Sequence, residues 1–234
     1  MTLDDLQIRD LTLTEAVTCV GELVNRGEGG WVTVVNANKL ALIEEHVDLA
    51  DHVREADLVL ADGISIPLAQ VLRGEHPVQR VCGIDLGEAL IEEAAKRRWQ
   101  VGLIGGRPEV IGPALEALRR RAPGLQVCAM HHGFTEGHQP FLDAVRASPP
   151  DIVLVGLGSP AQEQFISTHR DALGASVCLG VGGAFDVWSG RRTRAPAVLR
   201  SVGLEWAWRV ASQPALRGPR LVRSASALLS WVRS

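Results

Sequence analysis

The chain has 234 residues, of which 46% are hydrophobic and 22% are charged, and its formal net charge is −3. These values describe an ordinary soluble globular protein of one large or two small domains, and no apolar run approaches the roughly eighteen residues that a membrane-spanning helix needs. Four cysteines without a CxxC pair argue against a disulfide framework and a zinc knuckle, and they fit a reducing cytoplasm. The acidic, periodic N-terminus does not have the pattern of a signal peptide.

Charge is unevenly distributed along the chain. Residues 191–234 contain nine arginines and one acidic residue, Glu205, so this segment carries +8. The preceding 190 residues carry 15 basic and 26 acidic side chains, which leaves them at −11. A basic tail on an acidic body predicts an anionic partner for the tail. Nucleic acid, a membrane surface and a phosphorylated substrate all satisfy this requirement.

The sequence predicts a helix, a strand and a second helix in the N-terminal quarter of the chain. Thr12 and Glu15 have the spacing of a capping box, which predicts a helix to about residue 25. The β-branched, apolar residues 31–35 predict a buried strand that ends at Asn36. A helix is predicted from about Lys39, and the apolar positions on one of its faces are Leu40, Ile43, Val47 and Ala50.

Asp62 follows the next predicted strand, residues 58–60, and is followed by Gly63 and a helix-like segment from Ile64. Two interpretations of this carboxylate stay open. Asp is a favoured helix N-cap, so Asp62 would begin the next helix. Alternatively, a carboxylate at the carboxyl end of a buried strand lies where open α/β sheets bind ligands, and Gly63 would allow a close approach.

From about residue 100 to residue 183, apolar runs that end in or near glycine alternate with helical segments. This alternation predicts an α/β, Rossmann-like fold with a largely parallel sheet and helices on both faces. Right-handed crossovers place all strand ends along one edge. The predicted ligand-binding rim consists of Asn36, Asp62, Gly105, Gly106, Gly133, Gly158, Gly182 and Gly183.

The C-terminal segment differs in character, being helical and rich in arginine and tryptophan. We therefore divide the chain into a Rossmann-like core, residues 1–190, and a helical appendage, residues 191–234. Gly218-Pro219 predicts a break before the last helix. The predicted apolar face of that helix is Leu221, Val222, Ala225, Leu228, Leu229 and Val232, with Arg220 and Arg223 elsewhere on it. The helix fits either docking on the core or an interfacial position on a membrane.

Several common sites do not fit this sequence. GLIGGRPE is not GxGxxG, and the acid-ended strand precedes it, which makes a nicotinamide dehydrogenase a poor match. His131, His132 and His138 have no helical ligand spacing and no completing residues, so we predict a solvated loop and no metal. GxSxG and DxD elements are absent from the sequence.

Two other segments favour a nucleotide-sugar site. Gln162 in GLGSPAQEQF both donates and accepts hydrogen bonds, which suits a sugar or a uracil edge, whereas Glu163 beside it offsets the helix dipole. The segment GVGGAFDVWSGRRTRAP combines a glycine-rich strand end, Asp186 and three arginines. Such a mixture suits a diphosphate.

Seven segments follow one another in a familiar order: VVNANKL, ADGISI, VQRVCGIDL, VGLIGGRPEV, HHGFTEGHQ, VGLGSPAQEQF and GVGGAFDVWSGRRTRAP, the last continuing into LRSVGLEWAWRVASQP. Together they resemble the WecG/TagA/CpsF glycosyltransferase family over roughly residues 31–223. The likeness is greatest to the branch that transfers an N-acetylmannosamine-type sugar, or its uronic acid, to lipid-linked N-acetylglucosamine.

The resemblance implies roles for individual residues. Asp62 matches the proposed general base, and we assign catalytic roles to Asp62, Arg80 and Gln162. In part of the family a threonine lies two residues before the matched Asn36; here that position is Val34. The C-terminal basic segment, which in the family closes over the site and contacts the membrane, falls on residues 209–223. The predicted substrate-binding residues are Asn36, Gly63, Gly105, Gly106, Gly133, Phe134, Gly158, Gly182, Gly183, Asp186, Arg191, Arg194, Arg209, Arg217, Arg220 and Arg223.

The implied reaction is a metal-independent, inverting transfer from a UDP-sugar donor to an undecaprenyl-diphosphate-linked sugar, with no cofactor. The implied location is cytoplasmic, peripheral on the inner face of the cell membrane. The membrane surface is therefore an expected partner, and nucleic acid is not. A UDP-glucose transferase and, less favoured, a Rossmann-like NAD(P) oxidoreductase are the alternatives. Formation of a homo-oligomer is compatible with the sequence.

Overall fold

A computed structural model describes residues 4–134, 137–201, 203–212 and 214–233, without the side chains of residues 4, 201, 209, 212 and 214–217. Within this part of the chain, six strands form one sheet: Gly30–Val35 (β1), Leu58–Ala61 (β2), Gln100–Gly105 (β3), Gln126–His131 (β4), Ile152–Gly156 (β5) and Val177–Gly180 (β6). Their order is β2-β1-β6-β5-β3-β4, and every neighbouring pair is parallel. The predicted parallel sheet is confirmed.

Helices cover both faces of this sheet, as predicted. One face packs against Leu13–Arg26 (α1), Gly83–Arg97 (α5), Pro108–Arg121 (α6) and Ala184–Trp188 (α9). The other packs against Ala37–Glu45 (α2), Val47–Arg54 (α3), Ser65–Leu72 (α4), Gln139–Ala147 (α7) and Ala161–Leu173 (α8). The C-terminal segment adds Ala197–Ser201 (α10), Glu205–Ser212 (α11) and Pro214–Arg233 (α12).

The two faces of β1 show why the strands read as continuous apolar runs. Val32 and Val34 point into the core beside α1 and α5, whereas Trp31 and Val35 point into the cores on the opposite face. A strand in a parallel sheet that is covered on both faces needs apolar residues at successive positions.

The capping box at α1 is confirmed. Thr12 Oγ1 accepts a hydrogen bond from the Glu15 N–H at 3.3 Å, and Glu15 Oε2 accepts one from the Thr12 N–H at 2.8 Å. The helix ends at Gly27, whose φ of 67° is the left-handed conformation that glycine adopts without strain.

The single helix predicted after Asn36 is wrong, because α2 ends at Glu45 and α3 begins at Val47. His46 between them has an extended backbone, with φ −124° and ψ 100°. In a continuous helix Leu49 would lie about 240° around the axis from Ile43. The break brings both side chains into the same core. It leaves Val47 79% exposed, although the sequence pattern places Val47 on the apolar face.

The break predicted at Gly218-Pro219 is also wrong, because α12 continues through Pro219. A proline inside a helix removes one backbone hydrogen bond, and α12 nevertheless continues and packs against α2, α4 and α11. The predicted apolar face of α12 is confirmed only in part, because Leu228 and Val232 pack against the core. Ser224, Ala227 and Trp231 are buried, whereas Leu221, Val222 and Leu229 are exposed. The helix is docked on the core.

Candidate functional site

A cavity of about 690 Å³ lies at the carboxyl ends of the strands. Its walls include residues that follow β1, β2, β3, β5 and β6, together with side chains of the C-terminal segment. Ligands of open parallel sheets bind at this edge, since the strand ends and the loops after them meet there.

Asp62 lies directly after β2 and its side chain is half-buried in the cavity wall. Its Oδ2 accepts a hydrogen bond from Asn36 Nδ2 at 2.9 Å, and its backbone N–H donates to the Val35 carbonyl at 2.8 Å. Asn36 also caps α2, because its Oδ1 accepts from the Lys39 N–H at 3.0 Å. The asparagine therefore fixes the carboxylate relative to β1 and α2.

The alternative role of Asp62 as a helix cap is not observed. The residue that precedes α4 is Ile64, and no side chain provides a cap hydrogen bond at this helix start. Gly63 between them has a φ of 74°, which a glycine tolerates best. Asp62 is thus directed to the cavity and to Asn36.

A buried polar cluster supports another part of the cavity wall. Lys39 Nζ donates to Glu163 Oε1 and to Thr33 Oγ1, both at 2.8 Å, and the Lys39 and Glu163 side chains are only 5% and 1% exposed. Glu163 Oε1 also accepts from Gln162 Nε2 at 2.8 Å and from Ser159 Oγ at 3.0 Å. Burial raises the pKa of Glu163, but the charge and hydrogen bond of Lys39, with the other two donors, outweigh burial and hold this pKa below its ordinary value.

Gln162 connects this cluster to the glycine-rich loop after β6. Its Oε1 accepts from the Gly182 N–H at 2.9 Å, while its Nε2 donates to Glu163. A side chain at Gly180 would lie 2.6 Å from Gln162 Nε2, so the glycine makes room for the amide. Both the oxygen and the nitrogen of this amide therefore form hydrogen bonds within the protein. Gln162 lines the cavity, although only 2% of the residue is exposed.

The arginines that line the cavity differ in how far their charge is already matched. Arg194 Nη1 lies 2.6 Å from Asp85 Oδ1; burial lowers the pKa of Arg194, and the hydrogen bond and charge of Asp85 outweigh burial and raise it. Arg191 pairs with Glu109, and Arg192 lies 3.5 Å from Asp186. Arg107 and Arg220 have no ion pair with any residue of the described chain. The charge of Arg107 does help to lower the pKa of Glu109, but neither arginine has a carboxylate within 4 Å in the described chain that would compete with an anionic ligand.

Cys82 also lines the cavity but is a poor nucleophile. Burial, followed by the charges of Asp62 and Glu205, raises the pKa of its thiol far above the ordinary value. The thiol therefore stays protonated at neutral pH.

Most of the predicted site residues come together in this cavity. Those that line it are Asn36, Asp62, Gly106, Phe134, Gly158, Gln162, Gly182, Gly183, Asp186, Arg191, Arg194 and Arg220. Others lie outside its lining: Gly63, Arg80, Gly105, Gly133 and Arg223. The side chains of Arg209 and Arg217 lie outside the described residues.

The residues outside the lining have other contacts. The backbone of Arg80 bridges to Ala61 at the end of β2. A side chain at Gly105 would lie 2.4 Å from the Gly156 backbone, so this glycine allows β3 and β5 to approach. Arg223 pairs with Glu45 at 3.0 Å.

Sequence reasoning missed several cavity residues. Arg192 belongs to the arginine-rich segment that we had singled out, and Lys39 belongs to VVNANKL, so a signal for both was present. The other missed lining residues include Cys82, Arg107, Ser159, Glu205 and Trp208. These residues also lie in segments quoted in the sequence analysis, so a local signal was present for them too, but only tertiary packing brings the segments to one cavity.

The histidines of the HHGF region form ring contacts. His131 and His132 stack with centroids 4.6 Å apart, and His138 packs edge-on against Phe165 at 4.8 Å. Burial, followed by neighbouring histidines, lowers the pKa of His131 and His138, so both are neutral at pH 7. In the described part of the chain, no group of three or more His, Cys, Asp or Glu is arranged to hold a metal ion.

None of the helices described combines the length and apolar character needed to cross a membrane. A sequence model described as "Glycosyl transferase WecG/TagA/CpsF family" matches residues 1–234. The chain belongs to the WecG/TagA/CpsF glycosyltransferase family. Its members use a sugar donor and a lipid-linked acceptor in polysaccharide and cell-wall synthesis. Membership confirms the resemblance inferred from the seven segments and gives the oxidoreductase alternative no support.

Proposed function

We propose that this transferase moves an N-acetylmannosamine-type sugar, or its uronic acid, from a UDP-sugar to undecaprenyl-diphosphate-linked N-acetylglucosamine. The reaction inverts the anomeric centre, needs no metal and takes place at the inner face of the cell membrane. The observation that carries the proposal is the Asp62 carboxylate, held by Asn36 at 2.9 Å in the wall of a cavity that a glycine-rich loop also lines. A UDP-glucose or other hexose donor is the alternative.

Asp62 acts as the general base in this proposal. Its free oxygen takes the proton of the acceptor hydroxyl while that hydroxyl oxygen bonds to the anomeric carbon and the bond from that carbon to the UDP oxygen breaks. A positioned base contributes about 10² to 10⁴ in rate. The hydrogen bond from Asn36 fixes the direction of the carboxylate, so the base is oriented before the acceptor arrives.

Charge on the departing UDP is met by cations and backbone amides. Gly182 and Gly183 allow a diphosphate to approach the backbone closely, and Arg107 and Arg220 line the same cavity without an ion pair to a described residue. Donors arranged in advance around a developing negative charge stabilise it without reorganisation at the moment of reaction.

The C-terminal helices complete this site. Glu205, Trp208 and Arg220 belong to residues 191–234, yet they line the cavity together with Asp62. This supports the proposal that the appendage closes over the donor, so that departure of UDP is promoted when the lipid acceptor is in place.

Replacement of Asp62 tests the base. Asp62→Asn keeps the size and the contact with Asn36 but removes the proton acceptor, so we expect kcat to fall by about 10²- to 10⁴-fold with UDP binding nearly unchanged. Turnover is measured with a short-chain lipid-diphosphate-N-acetylglucosamine and UDP binding by calorimetry. Asp143→Asn is the control, because Asp143 is an exposed carboxylate paired with Arg146 on α7. Full activity of Asp62→Asn would remove Asp62 from this role.

The same assay identifies the donor. UDP-N-acetylmannosamine, its uronic acid and UDP-glucose are compared with wild-type protein, in the presence and absence of a chelator. Turnover of UDP-glucose alone would select the alternative, and loss of turnover with chelator would contradict a metal-independent reaction.

A further inference from the structure

The helix α4 is apolar on two opposite sides, although only one of them is covered. Ile66 and Ala69 are buried in the core. On the other side, the exposed fractions are 46% for Leu68, 55% for Val71 and 59% for Leu72, and Ile64 just before the helix is 40% exposed. We call these four residues, spaced at i, i+4, i+7 and i+8, the α4 outer face. An apolar stripe on a helix normally packs against an apolar partner, so this face calls for one.

The α4 outer face begins beside the proposed base. Ile64 is two residues after Asp62, and a side chain at Gly203 would lie 3.0 Å from Ile64 Cδ1, so the C-terminal segment touches the same end of α4. At the other end of the helix, Arg73 Nη1 donates to the Trp231 carbonyl at 3.1 Å. The eight residues of α4 thus lead away from the cavity over about 12 Å and run beside α12.

The neighbouring helix α12 also exposes apolar side chains and carries positive charge. The exposed fractions on α12 are 37% for Leu221, 72% for Val222 and 52% for Leu229. Arg220 on the same helix lines the cavity. A lipid diphosphate combines an anion with an apolar chain, and this arrangement places a cation at the cavity and apolar surface beyond it.

We propose that the α4 outer face binds the isoprenoid chain of the lipid-linked acceptor while its sugar reaches Asp62. The inference rests on the proposed function, and it adds a surface of the catalytic core to the contacts expected of the C-terminal segment. The lipid-linked acceptor is the partner whose chemistry fits, because one molecule must present a sugar hydroxyl inside the cavity and an apolar chain outside it. Chain length therefore becomes a determinant of acceptor affinity.

The test variant is the double substitution Leu68→Gln and Leu72→Gln. Glutamine has a helix propensity close to that of leucine, and both leucines are exposed, so the fold is retained. Its matched control is Leu13→Gln with Val47→Gln, which removes two exposed apolar side chains on α1 and α3. KM and kcat are measured in one detergent with an undecaprenyl acceptor and with a two-isoprene acceptor that carry the same sugar.

For the test variant we expect KM of the undecaprenyl acceptor to rise about tenfold or more, because two leucine contacts with the chain are lost. Values for the short acceptor stay within about twofold, and the control changes neither. Equal losses with both acceptors, or no loss with either, would overturn the inference. The inference would also be overturned if light scattering showed a smaller oligomer for the test variant than for wild type, because the face would then be a self-association surface.

Two further measurements separate this inference from other outcomes. Binding of undecaprenyl diphosphate without sugar is measured directly for wild-type and variant proteins. If wild-type protein transfers no sugar from any UDP donor, the proposed function fails, but weaker lipid binding by the variant would still support the surface. Binding to empty anionic vesicles is the second measurement. A variant that loses vesicle binding but keeps normal KM for the detergent-solubilised long acceptor would assign the face to the bilayer and overturn the inference.

Discussion

The buried Lys39–Glu163 pair shows how a single contact connects two walls of the site. Lys39 belongs to the helix that Asn36 caps, and Glu163 holds the amide of Gln162, which in turn holds the Gly182 N–H. The second carboxylate oxygen of Glu163, Oε2, is buried without a hydrogen-bond partner among the described groups. The glutamate therefore depends on Lys39 for most of its compensation. Buried ion pairs of this kind are costly to break from one side.

Lys39→Met is the substitution that exposes this dependence. It leaves the Glu163 carboxylate buried without a counter-charge, so we expect the free energy of unfolding at pH 7 to fall by about 3–5 kcal/mol. Lys39→Met with Glu163→Gln removes both charges and recovers most of that loss. Urea unfolding of the three proteins measures the difference, and equal stability of the single and double variants would contradict the account.

The pH dependence of this effect has a defined sign. In wild-type protein the pKa of Glu163 is below its ordinary value of 4.5, so the pair's contribution is present above pH 4.5 and is lost as the pH falls through the lowered pKa. In Lys39→Met, burial without the counter-charge favours the protonated carboxyl. The stability difference between wild type and Lys39→Met is therefore largest at neutral pH. It shrinks on acidification, first above pH 4.5 as the carboxyl of the variant takes up its proton, and then below pH 4.5 as that of the wild type does.

At the scale of elements, glycines at the strand ends have more than one purpose. The sequence pattern predicted them as a ligand rim, and Gly182 and Gly183 do line the cavity. Gly156 serves packing as well, because a side chain there would lie 2.3 Å from Cδ2 of the buried Phe185. The short helix α9 can therefore pack against the end of β5 only because this position lacks a Cβ.

Gly156→Ala tests the packing between β5 and α9. Phe185 is 1% exposed and has little room to move, so we expect a loss of about 1–3 kcal/mol in the free energy of unfolding. Gly21→Ala in α1 is the matched control, since the atom nearest to a side chain there, Trp99 Cη2, lies at an ordinary van der Waals distance of 3.5 Å. That change is expected to stabilise the helix by about 0.5–1 kcal/mol. Equal effects of the two alanines would show that α9 shifts freely.

The strands were predictable because each is a short apolar run between turn residues, and their shared direction follows from the intervening helices. Parallel strand ends then placed Asn36, Asp62 and Gly182 at one edge. What could not be predicted is the rotation of helices about their axes. The break at His46 and the buried side of α12 depend on neighbours distant in sequence, as does the contact of Lys39 with Glu163, which lies 124 residues away.

At the scale of the whole molecule, part of the charge asymmetry is resolved within the chain itself. Arg191, Arg194 and Arg223 of the basic tail pair with Glu109, Asp85 and Glu45 of the acidic body. Trp231 is 4% exposed and packs in the same cluster as Leu40. The anionic partner predicted for the tail is thus partly the core. Fewer arginines are therefore left for a ligand than the sequence suggested.

Arg220 and Arg223 separate these two uses of positive charge on one helix. Arg220 lines the cavity and has no ion pair with a described residue, whereas Arg223 pairs with Glu45 at 3.0 Å outside the lining. If Arg220 meets the diphosphate, Arg220→Ala removes a charge-assisted hydrogen bond and lowers kcat/KM for the donor by about 10- to 150-fold. Arg223→Ala removes only an exposed ion pair, which contributes little, and leaves kcat/KM within about twofold.

Steady-state kinetics with a short-chain acceptor compares the two variants. Similar losses from both alanines would mean that the tail acts through its overall charge, and an unchanged Arg220→Ala enzyme would leave the diphosphate to Arg107 and the backbone amides of the glycine loop.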